Sequence, residues 1–223
     1  PATDTVTVDR TGAPLRDADG RLVFRQSGHG ALLANLNDLQ GDVIFLKNID
    51  NVAPDLRGSS SLRWKRVLGG GLVRTQEHAH AHLRALHAAG AGDTEVHAAL
   101  AFLDRCGVKL PTKTATAPLD HRRALAIDRL DRPVRVCGVV RNTGEPGGGP
   151  FWVTGENGTS TKQIVESAQV DGQSVDQVGI FGTATHFNPV DLVCGVRDWQ
   201  GNPFDLHRYA DPTAVFISEK LDG

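Results

Sequence analysis

The chain has 223 residues, a length that suits one large domain or two small ones and allows a core without disulfides or a structural metal. Its 24 basic and 26 acidic side chains give a net charge of -2, so no overall field attracts nucleic acid or an anionic membrane. The three cysteines are far apart in the sequence and form no CxxC pair, so their spacing indicates neither a disulfide framework nor a zinc ribbon. This cysteine usage favours a reducing, cytoplasmic compartment. No apolar run in the sequence approaches the roughly 18 residues of a membrane span.

The two ends of the sequence favour a fragment of a longer chain. The sequence begins at Pro1, contains no methionine and opens directly on strand-like residues 5–8. Its last residues, 217–223, predict neither a helix nor a polar tail. We therefore expect one domain over residues 1–223, truncated at both ends, with part of any active site outside the sequence.

The first strongly patterned unit spans residues 21–51. Within it, Gly28-His29-Gly30 predicts a tight turn, and residues 31–39, with leucines at helical spacing, predict a helix. Val43 to Leu46 is apolar without alternation, which is typical of a strand buried on both faces of a mostly parallel sheet. The order of turn, helix and buried strand predicts an α/β layer fold with residues 43–46 as a central strand.

Polar residues directly follow the carboxyl end of this strand. In parallel sheets, ligands bind in a crevice at the carboxyl ends of the strands. Asp50 is suited to hold Mg²⁺, although an aspartate after a strand is also ordinary turn chemistry. Lys47 would act on phosphate beside it, or would be a solvated lysine at the strand end. Because side chains alternate along a strand, Lys47 and Asp50 are not fixed on the same side.

The glycine turn, Gly28-His29-Gly30, is the second candidate site. Two glycines let the backbone approach a flat or charged ligand, and a helix start offers unpaired N–H groups. Taken by itself, a Gly-X-Gly turn is more often a plain helix cap.

Helices are predicted over about residues 61–89, 93–106 and 120–130. The first contains Gly69-Gly70-Gly71, and a kink or break is expected there because each glycine costs about 1 kcal/mol against alanine. One face of this helix carries His78 and His82, four residues apart as two zinc ligands would be. The sequence shows no HExxH order and no assigned third ligand, so a solvated helix face is the preferred interpretation.

The half of the chain from residue 134 onward is predicted to be rich in strands. Short β-branched runs alternate with Gly, Pro and Asn/Asp turns, at 134–140, 151–153, 163–166, 183–187, 190–196 and 214–218. Glu156-Asn157-Gly158 is typical of a hairpin turn. Residues 185–191 and Glu166 supply the polar groups expected to face the crevice, although Asn188-Pro189 is also a turn signal.

Two stretches, SGHGALLANLNDL and DVIFLKNIDNV, together resemble the UDP-sugar pyrophosphorylases, which are sugar-1-phosphate nucleotidyltransferases. In the eukaryotic members a Gly-His-Gly or Gly-Asn-Gly turn opens a helix, and a strand ending in Asp-Asn follows. The chain is still more similar to an uncharacterised bacterial domain family related to that group. This similarity covers most of the chain and includes stretches like PFWVTGENGTSTKQIVES and TATHFNPVDLVCGVRDWQGNPFDL.

The resemblance implies a glycosyltransferase-A-like fold, a three-layer αβα sandwich of the nucleotide-diphospho-sugar transferase type with a mostly parallel central sheet. It implies that Gly28, His29 and Gly30 meet the base and ribose of a nucleotide. It also implies that Asp50 holds Mg²⁺ and phosphate. The group's upstream glycine-rich loop, which cradles the triphosphate, does not occur in this sequence.

Two functions are compatible with these features. The first is part of a Mg²⁺-dependent sugar-1-phosphate nucleotidyltransferase-like protein, in which catalysis is mainly positioning and charge neutralisation by Asp50 and Lys47. The alternative is a non-catalytic nucleotide or nucleotide-sugar binding domain of the same fold. Both imply a nucleoside triphosphate and a sugar phosphate as partners, with no nucleic acid and no membrane. The base, the sugar and the oligomeric state are not indicated.

Overall fold

The computed structural model describes residues 4–26, 28–48, 58–144, 147–211 and 214. The chain forms two compact units, the first made of residues 1–41 with 205–210 and the second of residues 42–204 with 211–223. The helices are α1 (Leu33–Asp38), α2 (Gly58–His87), α3 (Asp93–Arg105), α4 (Leu119–Leu130) and α5 (Val175–Gly182). The strands are β1 (Asp4–Val6), β2 (Phe24–Gln26), β3 (Val43–Lys47), β4 (Val108–Lys109), β5 (Val134–Cys137), β6 (Val140–Arg141), β7 (Gly149–Thr154), β8 (Ser160–Val165), β9 (His186–Phe187) and β10 (Asp191–Gly195).

The first unit is a small antiparallel arrangement followed by a short helix. Strand β1 pairs with β2, and the chain between them turns at Gly12 and Gly20, whose φ angles of 84° and 78° lie in the left-handed region that favours glycine. The helix predicted over 31–39 is shorter than expected, because a 3-10 turn occupies His29–Leu32 and only α1 is α-helical. The backbone N–H of Leu206 donates to Asn37 Oδ1 at 2.8 Å and ties residues 205–210 to this helix.

The prediction of a mostly parallel central sheet in a three-layer αβα sandwich is wrong. The described strands form four small sheets, and every strand pair in them is antiparallel. Strand β3 lies at the edge of a three-stranded sheet in the order β3-β10-β5, so it is not a central strand. The architecture is therefore mixed α/β, with small antiparallel sheets beside helices.

The prediction that β3 is buried on both faces fails for a physical reason. Its run of apolar side chains does not reflect burial on both faces, since Ile44 is 8% exposed whereas Phe45 is 48% exposed. The Phe45 ring lies against helix α2, where a Cβ added at Gly69 would come within 2.9 Å of Phe45 Cζ. An aromatic side chain that covers a helix backbone at a sheet edge looks the same in sequence as one buried inside a parallel sheet.

Helix α2 runs through Gly69-Gly70-Gly71 without interruption, so the helix does not break at these glycines. Packing explains why the helix continues. Helix α2 lies against the sheet and approaches it closely at two points, where a larger side chain in place of glycine would not fit without a shift. One is Gly69 against Phe45, and the other is Gln76 against Gly195 of β10. Tertiary contacts of this kind override the weak helix propensity of glycine.

The main core lies where α2, α3 and α4 pack together, close to the predicted positions of these three helices. It consists of Ala79, Leu83, Leu86, Val96, Ala99, Phe102, Leu103, Ala126 and Leu130. The spacing on α2, three and four residues apart, is that of one apolar helix face. Within the described residues, no helix is both long and apolar enough to cross a membrane.

The strand-rich half contains strands β5 to β10. Strands β7 and β8 form the predicted hairpin around residues 156–158, with Gly158 at a φ of 76°. Strand β4 extends this pair into a second three-stranded sheet, and β6 pairs with β9. The strand expected at 214–218 lies outside the described residues, apart from Ala214.

Candidate functional site

Lys47 and Asp191 form an ion pair at one end of the β3-β10-β5 sheet. They stand opposite each other across the β3-β10 pair, and Lys47 Nζ lies 2.9 Å from Asp191 Oδ2. Each side chain is 21% exposed, so Lys47 is not the solvated strand-end lysine that its position also suggested. A part-buried pair of opposite charges at the end of a sheet can offer one cation and one carboxylate to the same ligand.

The segment before Asp191 is held by a buried amide. Asn188 is 6% exposed, its backbone N–H donates to Gly148 O at 2.8 Å, and its Nδ2 donates to Gly138 O at 2.5 Å. Its Oδ1 accepts from the backbone N–H of Val190 at 3.1 Å. The sequence marked Asn188 as a turn residue, and the structure shows that its side chain also fixes the backbone beside the ion pair.

Val190 adopts a φ of 53°, the only positive φ of a residue other than glycine within the described part of the chain. A β-branched residue in this region costs on the order of 1–3 kcal/mol, and such strain persists where the surrounding structure enforces it. Its carbonyl accepts from the backbone N–H of Asn48 at 3.1 Å, which joins it to the residue after Lys47. Strain therefore coincides with the ion pair at the sheet end.

Gly138 completes this end of the sheet on the β5 side. Its backbone N–H donates to the carbonyl of Asp191 at 2.8 Å, and a Cβ added at Gly138 would lie 3.0 Å from that same oxygen. A side chain at this position would push the Asp191 backbone away. Sequence reasoning passed over Gly138, and the only signal was a glycine directly after an apolar strand.

Only some of the other predicted site residues lie within the described part of the chain. Asp50, the predicted Mg²⁺ ligand, and the neighbouring Asn51 lie outside the described residues. The glycine turn belongs to the first unit, whereas Lys47 belongs to the second. Lys47 is thus joined to Asp191, which the sequence had placed in the polar segment 185–191.

The glycines of the turn are not required by the fold. Neither Gly28 nor Gly30 has a positive φ, and a Cβ added at either would meet no atom within 4 Å among the described residues. Gly28 precedes a 3-10 turn instead of an α-helix, which gives a weaker dipole than the one expected. The proposed contact of Gly28, His29 and Gly30 with a nucleotide stays a prediction.

The two histidines that suggested zinc pack on an aromatic ring of α3. The ring centroids of His78 and His82 lie 6.0 and 5.1 Å from that of Phe102. Burial lowers the pKa of His82, and the nearby Arg105 lowers it further. Within the part of the chain that is described, no group of three His, Cys, Asp or Glu residues is arranged to hold a metal ion.

Two further groups, Asp131 and His80, owe their pKa shift chiefly to burial. Burial raises the pKa of Asp131, and the neighbouring Asp198 raises it further. Burial lowers the pKa of His80, as does Arg84. Asp131 lies at the end of α4 and His80 lies on α2, and each group affects the pKa of the other, as expected of a structural cluster.

Residues 1–223 match a family profile described as a domain of unknown function, DUF4301. The chain belongs to the DUF4301 family. Neither the curated proteins nor the solved structures provide a match. None of these comparisons links this DUF4301 chain to the UDP-sugar pyrophosphorylases, so that resemblance stays a prediction from the two motif stretches.

Proposed function

We propose that this DUF4301 domain binds a nucleoside triphosphate through its phosphates at the Lys47–Asp191 sheet end, as part of a Mg²⁺-dependent sugar-1-phosphate nucleotidyltransferase-like protein. The observation that carries the proposal is the part-buried pair of Lys47 and Asp191 beside the strained residue Val190. Its location agrees with the KNIDN motif, since Lys47 ends β3 and Asp50 follows three residues later.

The chemistry of the pair suits a phosphate accompanied by a divalent cation. The ammonium of Lys47 would act as a point charge for phosphate oxygens, and the Asp191 carboxylate would turn to the cation. Mg²⁺ commonly uses only one or two protein carboxylates, with water and phosphate oxygens as the remaining ligands. Asp191 would supply one such carboxylate, and Asp50, which lies outside the described residues, is the proposed second.

A nucleotide-binding role without transfer is the second candidate, and one observation favours it. Lys47 is held at 2.9 Å by Asp191, so part of its charge is neutralised within the protein. A lysine whose charge is partly neutralised can still position a bound phosphate. It is less able to stabilise the negative charge that develops on the phosphate in a transition state.

A thermal-shift screen of the four ribonucleoside triphosphates with MgCl₂ tests binding. At 100 times its dissociation constant a ligand stabilises the folded state by about 2.7 kcal/mol, which raises the melting temperature by several degrees. Lys47→Gln should remove this rise. Lys113→Gln, which removes the same charge from an exposed 3-10 turn, should preserve it. No shift for the unmodified chain with any triphosphate would contradict the proposal.

Pyrophosphate release separates the two candidates. The chain would be incubated with a triphosphate, a sugar 1-phosphate and Mg²⁺. Release above that of an Asp50→Ala variant supports nucleotidyl transfer. Binding without such release supports a non-catalytic role for residues 1–223 themselves.

A further inference from the structure

A second polar feature of the second unit is a pocket of about 270 Å³. Its walls include Asn142, Ser167, Phe181, Gly182, His186 and Phe187. These residues come from the segment after β6, the start of a 3-10 turn, helix α5 and strand β9. None of them belongs to the Lys47–Asp191 pair.

Two aromatic rings supply the apolar part of the wall. Phe181 is half-buried and stacks on Phe151, with ring centroids 5.4 Å apart and planes 21° apart, which fixes its position. Phe187 is also half-buried, and its ring lies so near Gly147 that a Cβ added there would stand 3.3 Å from Phe187 Cδ2. Half-buried phenylalanine rings in a pocket wall are suited to stacking on a flat ring such as a nucleobase.

Polar groups at the same pocket can address the edge of such a ring. Asn142 Oδ1 accepts from the backbone N–H of Gly144 at 2.9 Å, which leaves its amide NH₂ to donate. His186 Nδ1 lies 2.9 Å from Thr185 Oγ1, which leaves Nε2 for a ligand, and the Ser167 hydroxyl can donate or accept. No lysine or arginine is among the described residues that line the pocket, so a flat ring with a polar edge fits better than a phosphate.

A single short segment connects this pocket with the ion pair. His186 and Phe187 line the pocket, the buried Asn188 anchors the chain, and Asp191 meets Lys47. Asp191 lies four positions after Phe187, so their Cα atoms are at most about 14 Å apart. This separation is within the length of a single nucleotide.

We propose that this pocket receives the base of a nucleotide whose phosphates bind at Lys47 and Asp191. The assignment rests on the proposed function for the phosphate end, and it places the base here instead of at the Gly28-His29-Gly30 turn. The ligand class is a purine or pyrimidine ring, recognised by stacking and by donors and acceptors on its edge.

Saturation-transfer NMR with uridine, cytidine, adenosine and guanosine, without Mg²⁺, tests the pocket separately from the phosphate site. We expect saturation strongest on base protons for at least one nucleoside. Gly182→Leu should reduce it at least tenfold, because a Cβ there meets no described atom within 4 Å and a leucine would occupy the pocket. Gly179→Leu, on the same helix, also enters open space but does not line the pocket, and should preserve the signal.

Two further variants make the failures of the two proposals distinguishable. Lys47→Gln and Gly30→Ala should both retain nucleoside binding, since nucleosides carry no phosphate and the turn lies elsewhere in the chain. Saturation lost in Gly30→Ala but kept in Gly182→Leu would overturn the pocket and return the base to the turn. No saturation with any nucleoside would also overturn it, while triphosphate binding that depends on Lys47 would leave the phosphate site standing.

Discussion

Glycine residues in this chain divide into those that the fold requires and those that it does not. Gly195 is needed for the observed packing, because a Cβ there would collide with the amide end of Gln76, which would have to move. Gly28 and Gly30 are not, because a Cβ at either meets no described atom within 4 Å. The sequence shows the same residue type in all three cases, and only the packing separates them.

This division predicts opposite effects of alanine. Gly30→Ala should leave the free energy of unfolding unchanged within about 0.5 kcal/mol, which is ordinary for a surface position. Gly195→Ala should lower it by no more than about 1 kcal/mol, the low end of overpacking costs, because only the flexible amide end of Gln76 has to move. Urea unfolding measures both. Because Gln76→Ala removes the obstructing amide, it should restore much of the loss in Gly195→Ala, and a failure of this rescue would refute the packing explanation.

The cysteines provide a second prediction at the residue scale. Burial raises the pKa of the Cys194 thiol to about 11, whereas Cys106 lies exposed after helix α3. Since the thiolate is the reactive form, a thiol reagent at pH 8 should label Cys106 first and Cys194 only on unfolding. Equal labelling rates in the folded protein would contradict the burial of Cys194.

The same shift has a consequence for stability. The folded state holds the Cys194 proton more tightly than the unfolded state, so this contribution is fully present below the unfolded pKa of about 8.5. It is lost as the pH rises toward about 11. The free energy of unfolding should therefore fall over this range, and less so in Cys194→Ala.

At the scale of elements, the glycines of α2 show how tertiary packing replaces intrinsic propensity. Gly69 accommodates the Phe45 ring, while a Cβ at Gly70 or Gly71 would meet no described atom within 4 Å. We expect Gly70→Ala and Gly71→Ala each to stabilise the protein by about 1 kcal/mol, the difference in helix propensity. Gly69→Ala should stabilise less or destabilise, because the ring must move. Equal gains at all three positions, measured by thermal unfolding, would mean that Phe45 does not constrain the helix.

Sequence patterns were sufficient for the elements whose signals are local. Helices α3 and α4 and the β7-β8 hairpin lie close to their predicted positions, because apolar periodicity and Asn-Gly turn chemistry act over a few residues. The direction and neighbours of β3 could not be predicted, since its partner β10 begins 144 residues after Lys47. An unbroken apolar run gives no information about which distant strand it meets.

At the scale of the whole molecule, the antiparallel sheets remove the topological argument for a ligand-binding crevice after β3. A mostly parallel sheet would place Asp50 in a crevice by topology, and the antiparallel sheet of β3, β10 and β5 does not. The candidate site depends instead on side chains that the sheet brings together from distant segments. Lys47 and residues 185–191 were recognised from sequence as polar, but their pairing depends on strand register.

The most direct test of the central claim is isothermal titration calorimetry with inorganic tripolyphosphate, with and without Mg²⁺, since this ligand needs no base pocket. We predict that the unmodified chain binds it more tightly with Mg²⁺. Lys47→Gln should lose at least tenfold in affinity, and Asp191→Asn should lose the Mg²⁺ dependence, while the charge-matched Lys113→Gln behaves as the unmodified chain. Equal affinity in Lys47→Gln and Lys113→Gln would show that Lys47 and Asp191 form a structural ion pair only, and would contradict the account.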